Sequence, residues 1–320
     1  MDSIIRSAIL RTLCFYAAWE YAPTHIQCLL SLDFGLQNIG SSLPQTQDIS
    51  KILNALIFDG TVARAQGRVC LAPHADQITR GRENEFFFAR KLRQARRAAA
   101  YIGRLPWVRA VCICNTTALG QARDGSDIDF FIIVRQGAIW RTRFFSALPF
   151  KLLGLRPGDK QSTDPVCLSF FVTDQALNLS HLTLEQDDPY FRYWLLNLLP
   201  LTDDGVLGSL WRANHQLLKR HLFSQPWIAL DSQPVPAPHV WELMENPITI
   251  PTAASQPNSY LEKYLKKLQH NHLPENIKQL ANKDTRVVIN DDVLKFHIQD
   301  RRQIFRERYY RLCHEYSIEP

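Results

Sequence analysis

A chain of 320 residues is long for one hydrophobic core and predicts two or three domains. At 46% hydrophobic and 21% charged it has the composition of an ordinary globular protein, and no run of about eighteen apolar residues is present to cross a membrane. The formal charge of +6 suits a polyanionic partner without requiring one. Seven cysteines are scattered without metal spacing, so Cys112 and Cys114 are expected as packed thiols in a reducing, cytoplasmic compartment.

From Ile4 to about Tyr21, apolar residues at helical spacing (Ile5, Ala8, Ile9, Leu13, Ala17) predict a folded helix; charges at Arg6, Arg11 and Glu20 argue against a signal peptide. Ala22-Pro23-Thr24 breaks it, with Thr24 as N-cap for a helix over His25 to Leu32. A loop from Gly35 to Pro44 leads to a third helix near Asp48 to Phe58, ended by Asp59-Gly60. Two alternating runs, Thr61 to Arg64 and Arg68 to Leu71, then flank Gly67 as a hairpin. Three helices and a hairpin is winged-helix order, expected over residues 1–80. Only Lys51 is basic on the third helix, so Arg64 and Arg68 on the wing are the candidate phosphate contacts, and a docking role is the competing reading.

Between Arg80 and Arg97 the chain turns basic. Arg90, Arg93 and Arg97 recur along one helical face, which reads either as a solvated face or as an acceptor and phosphate surface. Phe86, Phe87 and Phe88 are expected as core anchors.

The stretch from Val108 to Val134 carries the chemistry. A buried strand (Val108 to Cys114) enters a short helix (Asn115 to Gln121), a polar loop follows (Ala122 to Ser126), and a second buried strand runs from Ile128 to Val134. Asp127 and Asp129 open that strand two residues apart, so their carboxylates share a face and can hold a divalent cation. Asn115, Thr116 and Thr117 stand where strand gives way to helix, and free backbone N–H groups there attract phosphate oxygens.

Beyond it, Gly137 to Leu155 is expected as an amphipathic helix whose Arg141 and Arg143 could neutralise a triphosphate, ahead of a basic loop (Arg156 to Lys160) and a strand, Val166 to Val172. Residues 181–320 read as a mostly helical C-terminal domain. Its expected parts are an aromatic helix (Asp188 to Leu199), a helix from Leu207 to Phe223 with Trp211, Leu217, Leu218 and Leu222 inward and Arg212, Lys219 and Arg220 outward, and a proline-rich strap at about 225–257. Two more helices follow, Ser259 to Gln269 and Asp300 to Tyr316, the second preceded by a basic cluster of His297, Arg301 and Arg302.

With these residues in view, the spacing from Asn115-Thr116 to Ser126-Asp127-Ile128-Asp129 resembles the signature of the DNA polymerase beta superfamily of nucleotidyltransferases, in which Gly-Ser precedes an Asp-x-Asp pair and an apolar strand. Ala118 and Gly120 keep that family's Ala-x-Gly rhythm. The segments GAIWRTRFF, CLSFFVTDQALNLS and LKFHIQDRR are similar to bacterial nucleotidyltransferase-domain proteins with an N-terminal winged helix.

The resemblance implies an α+β fold: a mixed β-sheet core over residues 81–180, between the winged helix and the helical domain. It also implies Mg²⁺- or Mn²⁺-dependent transfer of a nucleoside monophosphate from a triphosphate, ATP first, to an acceptor hydroxyl; RNA, tRNA above all, is the first expectation for that acceptor, with a protein side chain or a small antibiotic-like molecule also open. Asp127 and Asp129 would hold the metal, and Asn115, Thr116, Thr117 and Ser126 the nucleotide. Two departures stand out. The family's Gly-Ser is Asn115-Thr116 here, and its third carboxylate has no counterpart in VCLSFFV, where Ser169 holds the plausible position between Asp164 and Asp174. Either two carboxylates suffice, or a flanking acid reaches in, or the chain is an inactive binding module.

Overall fold

The computed structural model describes residues 1–36, 44–158, 163–221 and 259–320. The proline-rich strap and the end of the helix expected to reach Phe223 lie outside them.

The chain begins with α1 (Asp2–Ala18), α2 (His25–Leu30), α3 (Thr46–Phe58) and the hairpin β1 (Val62–Ala65) and β2 (Arg68–Leu71). Thr24 caps α2 as its sequence predicts: its hydroxyl accepts from Gln27 N, and Gln27 Oε1 accepts from Thr24 N. Gln66 and Gly67 both take positive φ, 53° and 74°, the twist that a two-residue hairpin turn requires. Helix α1 is buried on nearly every side, because α12 (Arg302–Glu315) at the chain's end packs against it. The Phe15 ring stacks on Tyr193 at 3.5 Å, so the N-terminal elements share a core with residues far along the chain.

Helix α4 (Asp76–Ile102) starts beside β2 and sends Leu92, Ala95, Ala99 and Ile102 into the central sheet. That sheet holds β3 (Val108–Ile113), β4 (Ile128–Val134), β5 (Val166–Thr173), β6 (Leu199–Asp203), β7 (Val287–Ile289) and β8 (Val293–Phe296). Its order is β6-β3-β4-β5-β8-β7, with β4 and β5 parallel and the other pairs antiparallel. The molecule is therefore α+β with a mixed sheet.

Strand alternation sorts side chains to two faces. Ile128, Phe130, Ile132 and Val134 meet α4 and α6 (Ile139–Leu152), whereas Phe131 and Ile133 meet α7 (Pro189–Leu196) and α8 (Val206–Ala213).

Several expectations need correction. The mostly helical segment after residue 180 also supplies strands that sequence reading does not assign: β6, β7 and β8 come from it and complete one sheet with the central strands. The runs Val287–Ile289 and Val293–Phe296 around Asn290-Asp291-Asp292 carry a hairpin signal in sequence, and Pro200 is tolerated because β6 is an edge strand. The expected long helix breaks at buried Asn214, whose side chain bonds Leu179 N and Leu177 O, giving α8 and the short α9 (His215–Leu218). Arg220 is buried against Asp33 at 2.8 Å rather than outward. Phe86, expected in the core, is 78% exposed. On the hairpin, Arg68 is buried, donating to Ala22 O and pairing with Glu85, so it is not free for a phosphate. No helix among the described residues is long and apolar enough to cross a membrane, and all seven cysteines are free thiols.

Candidate functional site

Asp127 directly precedes β4 and Asp129 is its second residue, which strand alternation sets on the face of Phe131 and Ile133. The main chain there is pinned on both sides. Ile128 N donates to Pro165 O at 2.8 Å and Cys114 N to Asp129 O at 3.0 Å, while Lys91, 0% exposed, reaches from α4 to the Ser126 carbonyl.

Helix α5 is a single turn, Asn115–Ala118, shorter than its sequence suggests. Asn115 opens it at φ 58°, the left-handed conformation in which Asn is among the better tolerated non-glycine residues. From there its Nδ2 donates to Asp129 Oδ2 at 2.8 Å, and Tyr190 Oη donates to Asn115 Oδ1 at 3.3 Å. Thr116, the next residue of α5, remains partly accessible. Thr117 is 1% exposed and faces the interior, and the Ser126 hydroxyl donates to Arg123 O at 2.9 Å, so neither is presented to a phosphate as expected.

Both carboxylates are partly buried, and among the described residues neither forms an ion pair. Burial raises the Asp127 carboxyl above its ordinary value, opposed by Lys91 and Arg156. Burial raises Asp129 too, opposed by hydrogen bonds from Asn115 and Cys167 and reinforced by the like charge of Asp127.

The two flanking acids are committed elsewhere. Asp164 lies between Arg90 (Nε to Oδ2, 2.6 Å) and Lys91 (Nζ to Oδ1, 2.7 Å); although burial opposes its charge, these cations hold its carboxyl below the usual range. Asp174 accepts from Arg109 Nη1 and Gln136 N, each at 3.0 Å.

In place of a third carboxylate, β5 supplies other groups. Cys167 pairs in register with Asp129, then an extra residue on β5 bulges the ladder before Phe131 meets Phe170. Cys167 Sγ lies 3.4 Å from Ser169 Oγ, which lies 3.2 Å from His297 Nε2. Burial, with the Asp129 charge, pushes the Cys167 thiol up. Burial, then Lys295 and Arg302, pull His297 down to about 4 against Asp300, so the imidazole is neutral.

The remaining candidates scatter. Helix α6 covers the opposite sheet face, which removes Arg141 and Arg143 from the carboxylates. Arg141, 3% exposed, meets Glu262 at 3.4 Å and lies 4.5 Å from the Trp107 ring centroid. Arg143 donates to Gln269 Oε1 at 2.7 Å, and burial with nearby Arg156 pulls it down to about 10. Arg93 and Arg97 are exposed along α4, whereas Arg90 is held by Asp124 and Asp164. Arg302 is buried between Asp300 and Asp188, so of the basic cluster Arg301 is exposed and His297 faces β5. Tyr190 and Cys167 are partners that one-dimensional reading missed, since no local pattern tells which distant side chain will reach a strand mouth.

No group of three or more metal-ligating side chains occurs among the described residues, so an all-protein metal cage is not built here. Two carboxylates that form no ion pair among the described residues do fit Mg²⁺ or Mn²⁺, hard cations that take one or two protein carboxylates and complete their shell with phosphate oxygens and water. Comparison of the chain with protein-family models, curated proteins and solved structures returns no match.

Proposed function

We propose that the chain is a metal-dependent nucleotidyltransferase of the DNA polymerase beta type, moving a nucleoside monophosphate from a triphosphate, ATP first, to an acceptor hydroxyl with release of pyrophosphate. One observation carries the reading: Asp127 and Asp129 stand close enough at the start of β4 for the Asp127 charge to act on Asp129, their charge raised in cost by burial and matched by no cation of the protein in an ion pair among the described residues. Such a pair is the electrostatic complement of a divalent cation carrying a triphosphate. Bound there, Mg²⁺ or Mn²⁺ would supply neutralisation of the phosphates and of the charge that develops in an in-line displacement.

The chain's own groups do the rest. Asn115 orients Asp129 through its amide, Tyr190 orients Asn115, and Lys91 holds the main chain before Asp127. Thr116 offers a hydroxyl beside the phosphate path, and Arg93 and Arg97 give α4 a basic edge suited to RNA, tRNA above all. The first three helices and hairpin are read as a winged-helix module with a docking role, because Arg68 is buried.

The rival reading, a binding module of the same fold without chemistry, is favoured by the commitment of both Asp164 and Asp174 to ion pairs. The two part in one assay. Incubated with α-labelled NTPs, Mg²⁺ and bulk RNA, the wild type yields a labelled product and Asp127→Asn falls to background. If both proteins are equally inert with every NTP yet bind RNA, the binding module is correct.

A further inference from the structure

The strand beside the two carboxylates presents a hydroxyl already paired with an imidazole. Ser169 Oγ is 3.2 Å from His297 Nε2, within the reach at which a histidine activates a serine. Among the described residues this hydroxyl bonds no main-chain group; its partners are the His297 ring and the Cys167 thiol. His297 is held in place by its edge-to-face contact with Phe170, ring centroids 6.0 Å apart, and by main-chain bonding of its N–H to Arg286 O at 3.0 Å. Because the imidazole is neutral, the hydroxyl can donate to Nε2 at neutral pH.

Position gives the pair a use. Cys167 is the register partner of Asp129, and Ser169 follows two residues on, with its Oγ beside the Cys167 thiol. The buried hydroxyl therefore lies one thiol away from Asp129, through Cys167, on the strand where the resembled enzymes place a third acid. An acid there takes up charge; a hydroxyl with its own base can instead react.

We propose that Ser169 is an acceptor for the site's own transfer, so that the chain nucleotidylates itself. Ser169 Oγ attacks the α-phosphorus of a bound nucleoside triphosphate and its proton passes to His297 Nε2. The bond from the α-phosphorus to the bridging oxygen breaks, pyrophosphate leaves with that electron pair, and a phosphodiester joins the nucleoside monophosphate to Ser169. The imidazolium then returns its proton to solvent or pyrophosphate. This rests on the nucleotidyltransferase reading of Asp127 and Asp129, and the experiment separates the two.

Full-length protein is incubated with each NTP in turn, α-labelled, with Mg²⁺ or Mn²⁺ and with bulk RNA present, then analysed by intact mass and by peptide sequencing in the mass spectrometer. The expected result is a gain of one nucleoside monophosphate per chain, mapped to Ser169. It is absent from Ser169→Ala and Asp127→Asn and slowed about 100-fold or more in His297→Gln. Label on RNA but none on Ser169, or label on a different residue of the chain, overturns self-modification and leaves the transferase standing. No label on chain or RNA with any NTP overturns both. Mapping on the wild type decides the matter without relying on a variant, so a Ser169→Ala protein that folds poorly cannot rescue or sink the proposal.

Discussion

Asn115 reaches Asp129 from a backbone position that most side chains avoid: at φ 58° it donates Nδ2–H to Asp129 Oδ2 at 2.8 Å. The amide bond helps hold the carboxylate charged against burial and against Asp127. Asn115→Gly keeps the backbone conformation and loses the donor, so the Asp129 pKa should climb and the acid limb of the pH–rate profile should move to higher pH. Asn115→Ala loses the donor and also strains the backbone by about 1–2 kcal/mol. Urea melts and pH profiles of both variants check this, and an acid limb unmoved in Asn115→Gly would show that the amide does not support the charge.

The triad of Arg90, Asp164 and Lys91 is structural. Asp164→Ala leaves Lys91, 0% exposed, without its carboxylate, and removal of one member of a buried ion cluster costs about 3–5 kcal/mol. Lys91 also holds the carbonyl before Asp127, so transfer activity should fall together with stability. A loss under about 1 kcal/mol in chemical denaturation contradicts this assignment.

Arg141 belongs to the joint between α6 and α10 (Ser259–Asn271), where Glu262 accepts from Trp140 N at 2.6 Å and Arg141 N at 3.1 Å. Arg141→Gln should lower stability by about 1–3 kcal/mol through the lost charge partner while KM for the triphosphate stays within about twofold of wild type. A tenfold rise in KM at unchanged stability would return Arg141 to the nucleotide site.

His221 ties acid sensitivity to the core. It is fully buried, and burial pulls its pKa to about 4 from 6.5, with Asp33 opposing. Between these values the unfolded chain binds the extra proton, so stability rises with pH across this window; the contribution is complete above about 6.5 and lost as pH falls to about 4. The full span is on the order of 3 kcal/mol. His221→Phe should flatten the slope of unfolding free energy against pH between 4 and 6.5, leaving the part due to His297, whose shift has the same direction. An unchanged slope in that variant would assign the acid sensitivity to other groups.

Local rules read well in the chain wherever the cause is local. Thr24 announced a cap, Gly67 a turn, and the apolar run after Asp129 a buried strand, and each is found in place. The carboxylate pair was legible for the same reason, since a spacing of two on a strand determines a common face. Charges are the least legible. Arg68, Arg141, Arg220 and Arg302 look alike in sequence to exposed Arg93 and Arg97, yet each is buried against a carboxylate or carbonyl supplied from elsewhere in the fold.

By itself, then, the order of residues determined where most helices and the central strands begin and that two acids stand two apart at a strand's start, because those properties follow from periodicity and capping over a few residues. Only the tertiary structure decided that β6, β7 and β8 finish the sheet, that Asp164 and Asp174 are taken by Lys91, Arg90 and Arg109, and that Ser169 meets His297 beside Asp129. Those outcomes depend on which distant backbones pair and which buried charges find partners, and a buried charge settles where the whole fold places its counter-charge.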